Sequence, residues 1–400
     1  MQKNIVIIGA GIAGCSLAYF LAKTGWHITL IESEDDIAKG GSGNPVAAIY
    51  PKFMLNDVAY NDFMLKSFMH TTAWISELGL SQDNYRFDGA IEILDATYAQ
   101  KLAYNLSRKN LCQNNFFSLI NESILDIYKL KRHQSGLFFH QGGWVNPIAL
   151  CQYLINHSHI KIITKQKITS IENSISNWIV KTEDQRVFSA HDIAICNAGF
   201  VNQFEPTSHL QIDAFRGQIN WIDATTLQMP SIVTSDIGYL FPRIHDKHVF
   251  GATYALNDFT KELRLSDTKK NIASIKEIHP DFYKECLAQE SISGRVAWRA
   301  STKDRKPYVG SVFDTQILKK MRIRELTKAH QLPWLKNLYI ASGFGSRGFT
   351  WAPYCTSVLA NLINDNLSQE DKKTLNYTNP ERYRLKKMSL KKIANHIFEV

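Results

Sequence analysis

The sequence predicts a mixed α/β (α+β) fold in which a buried parallel sheet is interrupted by an antiparallel sheet. Three observations predict it. A glycine-rich turn at residues 9–14 joins an apolar strand to a helix. Two further apolar strands, at 192–196 and 338–342, also run into small residues, as strands of a parallel sheet do where they meet a ligand. Residues 211–256 alternate between apolar and polar side chains, which is typical of antiparallel strands covered on one face.

The first element is a strand–turn–helix–strand unit at the start of the chain. An apolar strand at 5–8 enters the turn Gly9–Gly14, whose spacing is G-x-G-x-x-G. A helix then ends at Gly25, and a second apolar strand, 28–31, is followed by Glu32. The glycines allow a tight turn, the approach of a diphosphate to the backbone and close helix–strand packing, while the acidic residue accepts a hydrogen bond from a ribose. The unit therefore predicts a bound adenine dinucleotide.

Composition excludes several classes of protein. No apolar run reaches the roughly 18 residues that span a bilayer. The six cysteines are scattered without a CxxC pair, which favours reduced thiols over a metal site or a disulfide framework. Glycines interrupt the apolar N-terminal run, so we expect a cytoplasmic protein rather than an exported one. The net charge of +9 is compatible with a nucleic-acid partner and equally with a solvated surface.

The remaining elements follow from local patterns, and 400 residues are enough for two domains. We predict helices at 57–80, 97–111, 147–157, 267–289 and from Gly348 through Ile363, and further strands at 87–94, 160–164, 167–171 and 294–299. The last helix is preceded by a second glycine-rich segment, Gly343–Gly348.

Motifs along nearly the whole chain are similar to those of a known family. They are Gly41–Pro45 with Ile49–Pro51, Gly142–Trp144, Phe215–Gln218, Phe250–Tyr254, Trp298–Asp304, Pro307–Gly310 and Gly343–Gly348. In order and spacing they resemble the D-amino-acid-oxidase (DAO) superfamily of FAD enzymes, and within it the oxidoreductase domain of the MnmC family of bifunctional tRNA-modification proteins. The resemblance implies a Rossmann-like FAD-binding domain of the DAO/glutathione-reductase type with an inserted antiparallel-sheet substrate domain. The implied parts are a discontinuous FAD-binding domain (1–83, 145–208 and 330–378), a substrate domain (84–144 and 209–329) and a basic C-terminal tail (379–400).

The resemblance also implies which residues hold FAD. They are Gly9, Gly11, Ile12, Gly14, Glu32, Ser33, Gly41, Ser42, Asn44, Ala47, Ala48, Ile168, Ala198, Gly199, Gly343, Gly345, Ser346, Arg347, Gly348 and Phe349. The backbone N–H groups of the late glycine loop open a helix and suit the stabilisation of negative charge on a reduced flavin. Because FAD is long and is held at both ends, an early and a late glycine turn fit FAD better than NAD.

The chemistry that the resemblance implies is an oxidation at the wobble uridine of tRNA. The substrate group is carboxymethylaminomethyl, an N-substituted glycine. Its α-carbon gives a hydride to the flavin, hydrolysis releases glyoxylate, an aminomethyl uridine remains, and dioxygen reoxidises the flavin. Arg299 would bind the carboxylate, Tyr239 would line the site, and Arg347 would add positive charge near the flavin or bind substrate. An ion pair between Arg299 and Asp304 and an ordinary strand position for Tyr239 stay open, and the sequence assigns no general base.

Three functions stay open at this point. The first is the tRNA oxidoreductase, and the second is an oxidase of glycine, sarcosine or an imino acid. Ser346 favours the first, because some relatives that use free amino acids carry a cation at that position. The third is a flavoprotein that binds tRNA or a partner without turnover. Since the fingerprint begins at residue 5, we expect this chain to perform only the oxidative step and a separate methyltransferase to act on the product.

Basic residues late in the chain are expected either to contact tRNA phosphates or to lie on solvated helix faces. They are Arg382, Arg384, Lys386, Lys387, Lys391 and Lys392, together with Lys319, Lys320, Arg322 and Arg324. No RNA-binding module is recognisable, so an anticodon loop would be bound through shape, charge and a splayed-out base. Cys355 lies within a helical pattern, which favours packing over covalent attachment of a flavin.

Overall fold

In the computed structural model of the chain, the described residues are 3–108, 116–128, 130, 135–174, 176–321, 329–388, 390 and 397–398. Cys112 and the predicted tRNA contacts Arg322, Arg324, Lys391 and Lys392 lie outside these residues. The chain divides into a first compact unit (1–42, 151–214 and 299–400) and a second (43–150 and 215–298). The boundaries between the units follow residues 42, 150, 214 and 298, whereas the boundaries between the domains inferred from the sequence follow residues 83, 144, 208 and 329. The roles given to those domains stay predictions.

The strands are defined here in chain order. They are β1 (Asn4–Ile8), β2 (His27–Ile31), β3 (Ala47–Ile49), β4 (Tyr85–Arg86), β5 (Ala90–Ile93), β6 (Phe117–Leu119), β7 (Gly136–Phe139), β8 (Gly143–Val145), β9 (Ile160–Ile163), β10 (Ile168–Asn173), β11 (Trp178–Thr182), β12 (Val187–Ala190), β13 (Asp192–Ile195), β14 (Asp213–Asp223), β15 (Val233–Ser235), β16 (Tyr239–Leu240), β17 (Lys247–Gly251), β18 (Ala255–Leu256), β19 (Ser293–Ser301), β20 (Tyr308–Phe313) and β21 (Trp334–Ser342).

The helices are defined in the same way. They are α1 (Ile12–Ala22), α2 (Val58–Glu77), α3 (Ala96–Arg108), α4 (Glu122–Ile127), α5 (Pro147–Ile155), α6 (Leu265–Ser274), α7 (Pro280–Ala288), α8 (Thr315–Lys320), α9 (Gly348–Ile363), α10 (Gln369–Thr378) and α11 (Arg382–Lys387). Within the part of the chain that the structure describes, no helix combines the length and the apolar character that a bilayer crossing requires.

The first unit is built on a six-stranded sheet with the order β20-β21-β13-β1-β2-β9. Five strands are parallel, and β20 pairs antiparallel with β21 at one edge. Strands β1 and β13 are almost entirely buried, as expected of parallel strands covered on both faces. Strand β1 lies between β2 and β13. The chain adds β2 and β9 on one side of β1 and then β13 and β21 on the other, so the order of strand addition reverses at β1. Ligands of open parallel sheets bind beyond the carboxyl ends of the strands at such a reversal.

The second unit contains a larger sheet with the order β18-β14-β17-β16-β15-β5-β7-β6, and β19 also pairs with β14. Strands β15 and β5 are parallel, and the other pairs along this path are antiparallel. Helices α6 and α7 cover part of it, with Phe250, Ile272 and Phe282 in a shared buried cluster. The mixed α/β fold with a parallel and a largely antiparallel sheet is thus confirmed.

The helix predicted over 267–289 is wrong as a single element, because two helices occupy this region. Helix α6 ends at Ser274, and α7 begins at Pro280. Proline has no N–H group and its ring collides with the preceding turn, so it starts a helix well but does not continue one. The side chain of His279 accepts a hydrogen bond from the N–H of Phe282 at 3.0 Å and caps the new helix.

A buried histidine is expected to make the stability of the second unit sensitive to acid. His248 is 1 % exposed on β17, neither ring nitrogen has a hydrogen-bond partner among the described residues, and the edge of the Phe282 ring lies against it. Burial, followed by the positive charges of Arg243 and His279, lowers the pKa of His248. Protonation of His248 is therefore less favourable in the folded protein than in the unfolded one. The contribution of neutral His248 to stability is fully present above the unfolded pKa of about 6.5 and is lost as the pH falls below it.

We expect His248→Phe to remove this acid-dependent loss. The free energy of unfolding of the wild type should decrease from about pH 7 to about pH 5 more steeply than that of the variant, as measured by urea titration. His245→Asn, at an exposed position three residues away, should retain the wild-type slope. Equal slopes for His248→Phe and the wild type would show that His248 titrates normally in the folded protein.

Candidate functional site

The turn between β1 and α1 is closed by contacts that only glycine permits. Gly9 has a φ of +100°, and a Cβ atom added to it would lie 2.8 Å from the carbonyl oxygen of Cys196. A Cβ atom added to Gly14 would lie 1.9 Å from the carbonyl oxygen of Gly9. Helix α1 therefore rests directly on the end of β1. This is the close packing that the third glycine of the motif allows.

The N-terminus of α1 carries backbone donors that the helix itself does not use. The first intrahelical bond runs from the N–H of Cys15 to the oxygen of Gly11 at 2.9 Å, so the N–H groups of residues 12–14 have no acceptor within the helix. Ser42 Oγ accepts the Ile12 N–H at 3.0 Å, and a Cβ atom added to Gly11 would lie 3.2 Å from that oxygen. Glycine thus leaves the helix end open to a diphosphate.

Glu32 is fixed at the end of β2 by three donors. Its Oε2 accepts the N–H of Ala10 at 2.7 Å, and its Oε1 accepts Ser33 Oγ and the N–H of Glu34, each at 3.0 Å. A carboxylate has about four lone-pair sites, so capacity remains for a ribose hydroxyl. The sequence motif predicted Glu32, and the family resemblance implied Ser33, as residues that hold the cofactor. Neither singled out Ala10, whose N–H ties the glycine turn to the acidic residue.

The end of β13 lies beside the end of β1, since Ile8 pairs in register with Ile195. Ala198 has a φ of +52°, and its carbonyl oxygen accepts Ser342 Oγ from the end of β21 at 2.7 Å. The buried Oδ1 atom of Asn197 has no hydrogen-bond partner among the described residues. A buried acceptor without a donor is costly, and a bound ligand that supplies a donor would remove that cost. Asn197 is a position that the motif analysis did not single out.

The late glycine loop continues β21 into α9. Gly343 and Gly345 have φ values of +78° and +59°, which an L side chain adopts only with strain. Ser346 is exposed, and half-buried Arg347 occupies the N-cap position of α9. The loop's Phe344 forms a bridge to Ser301, the last residue of β19. Arg299 lies two residues before that bridge and is half-buried in the same unit.

The other predicted site residues are spread over both units. Ile168 lies in the apolar core of the first unit, and Gly41 is exposed. In the second unit, Asn44 accepts a hydrogen bond from Arg295 at 3.0 Å, and Ala47 and Ala48 are paired in β3 with β8. Tyr239 is half-buried on β16, with its ring 5.1 Å from that of Phe241 in an edge-to-face arrangement. The roles of Tyr239, Arg299 and Arg347 stay predictions.

Asp304 pairs with Arg382, at 2.6 and 2.8 Å. The ion pair that the structure shows for Asp304 is thus with Arg382. Burial alone would raise the pKa of Asp304, but the hydrogen bonds and charge of Arg382 hold it well below its ordinary value. Arg382 is 3 % exposed and also donates to the carbonyl oxygens of Lys306, Pro307 and Asn379. The expectation that Arg382 contacts tRNA phosphates is therefore wrong.

Together these features define a class of protein. The order in which the chain adds strands reverses at β1, a glycine turn leads into a helix whose first N–H groups have no acceptor within the helix, and Glu32 follows the neighbouring strand β2. Gly9, Gly11, Gly14, Glu32 and the Asn197 acceptor fit the adenosine diphosphate part of a dinucleotide. The protein is a dinucleotide-binding protein of the α/β class.

The particular family follows from comparison with known proteins. The profile of the DAO family, FAD-dependent oxidoreductases, matches residues 4–362. The chain belongs to this family and is an FAD-dependent oxidoreductase, which confirms the predicted cofactor and enzyme class.

Individual relatives agree with this assignment. The chain is 29 % identical over 393 residues to the tRNA 5-methylaminomethyl-2-thiouridine biosynthesis bifunctional protein MnmC of Methylobacillus flagellatus, covering 97 % of this chain and 60 % of that protein. For the MnmC of Legionella pneumophila the identity is 29 % over 397 residues, covering 97 % and 58 %. The chain thus spans about 60 % of the length of these curated relatives. The resemblance to the MnmC family is confirmed.

Solved structures share the fold at low sequence identity. Glycine oxidase from Geobacillus kaustophilus superposes with a TM-score of 0.73 at 15 % identity, covering 92 % of this chain and 96 % of that one. L-proline dehydrogenase from P. horikoshii gives 0.74 at 18 % identity, covering 96 % and 98 %. These matches establish the DAO-type fold.

Cys355 is completely buried in α9, and burial raises the pKa of its thiol. A thiol that is both inaccessible and protonated is a poor nucleophile. The packing role expected for Cys355 agrees with this position.

We expect Gly14→Ala to abolish cofactor retention, because the added methyl group would have to displace backbone at the start of α1. The overpacking should cost about 3 kcal/mol of stability. The FAD content of the purified variant should fall at least about tenfold, as measured by absorbance after denaturation. Gly40→Ala is the matched control, since a Cβ atom there would meet nothing within 4 Å. A Gly14→Ala variant with the FAD content and thermal midpoint of Gly40→Ala would contradict the close-packing argument.

Proposed function

We propose that the protein removes the carboxymethyl group, as glyoxylate, from 5-carboxymethylaminomethyl-(2-thio)uridine at the tRNA wobble position, giving 5-aminomethyl-(2-thio)uridine. The observation that carries this proposal is the similarity to MnmC proteins along 97 % of the chain, from the first glycine turn through the late loop. A separate methyltransferase would act on the aminomethyl product, and dioxygen is the proposed final acceptor of electrons.

The reaction makes three demands on the site. When bound, FAD supplies a hydride acceptor. The chain has to hold the substrate carboxylate, keep its amine neutral so that a lone pair is available, and stabilise negative charge next to the cofactor. Arg299 suits the first demand, because the planar fork of its guanidinium group matches a carboxylate. Tyr239 is proposed to orient the amine through its hydroxyl group.

The late glycine loop suits the third demand. Helix α9 begins at Gly348, so the partial positive charge of its N-terminus lies at this loop. Arg347 at the N-cap position adds a full positive charge at the same end of the helix. Fixed donors and charges aimed at a developing anion need no rearrangement during the reaction, which is why they stabilise it effectively.

Oxidation of a small amine is the second candidate, because glycine oxidase and proline dehydrogenase have this fold. Arg299 would serve a free amino acid as well as an N-substituted glycine. Ser346 is exposed and uncharged, so it supplies no second cation for a small zwitterion.

The deciding measurement is anaerobic reduction of the FAD-loaded protein. We expect tRNA from cells blocked after the carboxymethylaminomethyl stage to bleach the flavin and to release glyoxylate. Glycine and sarcosine should leave the flavin oxidised over the same time. Reduction by the small amines alone would replace the tRNA proposal with a small-amine oxidase, and binding of tRNA without bleaching would support a non-catalytic flavoprotein.

We expect Arg299→Gln to lower the rate of flavin reduction divided by the substrate Kd by about 100-fold, since a lost charge-assisted contact costs about 3 kcal/mol. The substrate would be the same modified tRNA, followed by stopped-flow absorbance. Arg305→Gln removes the same charge from an exposed position six residues away and should react like the wild type. If the two variants behave alike, Arg299 does not bind the carboxylate.

A further inference from the structure

A segment of the second unit is held to the sheet by its backbone rather than by its side chains. Residues 257–265 run from the end of β18 to the first residue of α6 and are called the strap here. Every second carbonyl oxygen of the strap accepts a hydrogen bond from a side chain of the same unit. The acceptors are Asp258 from Trp298 Nε1 (2.7 Å), Thr260 from Arg216 Nε (2.8 Å), Glu262 from Arg216 Nη2 (2.6 Å) and Arg264 from Gln218 Nε2 (3.1 Å).

The donors are themselves fixed in the interior. Arg216 and Gln218 on β14 are completely buried, and Arg216 also forms an ion pair with buried Asp267. Gln218 Oε1 accepts the N–H of Arg264 at 2.9 Å, so this amide makes two bonds to one residue of the strap. Buried and satisfied polar groups of this kind are rigid. Arg216 and Gln218 therefore fix the path of the strap's backbone.

The odd-numbered residues of the strap are exposed, although the side chain of Leu263 also lies against Gly294 of β19. Phe259 is 66 % exposed, Leu263 50 % and Leu265 70 %, and Lys261 between them is also exposed. Single exposed apolar residues are common on protein surfaces. Three within seven residues of one segment concentrate apolar surface there, and they are called the patch here; larger exposed apolar patches mark interaction sites.

The charges around the patch favour a polyanion. The two acidic groups Asp258 and Asp267 are neutralised by Arg264 and Arg216, respectively. Lys270 on α6 also lies 3.8 Å from Asp267, and the remaining exposed charges are Lys261 on the strap and Lys269 on α6, against Glu262. A two-fold contact between copies of the chain through this surface would bring the lysines of both copies into one interface, which like-charge repulsion opposes.

We propose that the strap binds unpaired nucleotides of the substrate tRNA, with Phe259 stacked on a base and Lys261 at a neighbouring phosphate. Bases of single-stranded loops stack on exposed aromatic rings, and lysines neutralise the backbone. A rigid support suits this role, because less conformational entropy is lost when the nucleotide binds. The proposal rests on the proposed tRNA function, and it assigns RNA contacts to residues outside the basic C-terminal tail.

The test is binding of fluorescently labelled tRNA to the full-length, FAD-loaded protein, measured by anisotropy. Phe259→Ala should raise the Kd about tenfold, the loss expected for one stacked base, while Phe259→Trp should keep the wild-type Kd. Leu287→Ala is the matched control, because Leu287 is 59 % exposed on α7 of the same unit and lies outside the strap. The flavin spectrum of each variant reports an intact fold.

Each other outcome overturns the proposal in a recognisable way. An unchanged Kd for Phe259→Ala, together with normal flavin reduction by tRNA, would refute the strap as an RNA site and leave the proposed function standing. If Phe259→Ala instead changes the sedimentation coefficient from dimer to monomer at constant tRNA affinity, the strap is a contact between copies of the chain. A wild-type protein that binds no tRNA would refute the proposed function, and the strap proposal with it.

Discussion

The contact between Gly14 and the carbonyl oxygen of Gly9 is the constraint on which the rest of the first unit depends. It brings α1 onto the end of β1 and so directs the helix N-terminus toward the sheet edge where β2 and β13 also end. Glu32 is bonded to Ala10 of the same turn, and the carbonyl of Cys196 lies against Gly9. Because three strands converge on one turn, a single methyl group at residue 14 would disturb all the groups proposed to hold the adenosine diphosphate.

A second constraint lies at the other end of the chain. Arg382 on α11 is buried in an ion pair with Asp304 and bonded to the segment that follows β19. That segment contacts the late glycine loop: a Cβ atom added to Gly343 would lie only 3.1 Å from the methyl carbon of Thr302. Removing one partner from a buried pair costs about 3–5 kcal/mol, because the other charge stays buried. The C-terminal helix therefore supports the loop that carries Arg347.

The parts that the sequence predicted well are those set by local spacing. The glycine turn, its two strands and Glu32 lie within about 30 residues, and each has a distinct residue type. The buried state of Arg382 was not predictable, because in the sequence it stands in a basic run, and only the tertiary position of Asp304 takes it out of solvent. The break at Pro280 was readable from the proline itself. The path of the strap could not be predicted from the sequence, because its backbone carbonyl groups accept hydrogen bonds from side chains that are distant in the sequence.

Substrate choice in this fold has to come from groups away from the reacting carbon. Sarcosine and an N-substituted glycine on tRNA offer the same reacting groups. Each has a carbon next to an amine that can give up a hydride, and each has a carboxylate that an arginine can bind. In the roles proposed for them, Arg299 and the late loop would therefore serve either substrate and would discriminate little between the two. A nucleic acid adds base faces and phosphates, which only an exposed aromatic and basic surface can use. The strap, with Phe259 and Lys261 both exposed on a fixed backbone, is the surface proposed for that role, so binding of tRNA and the chemistry of oxidation are expected to be separable by mutation.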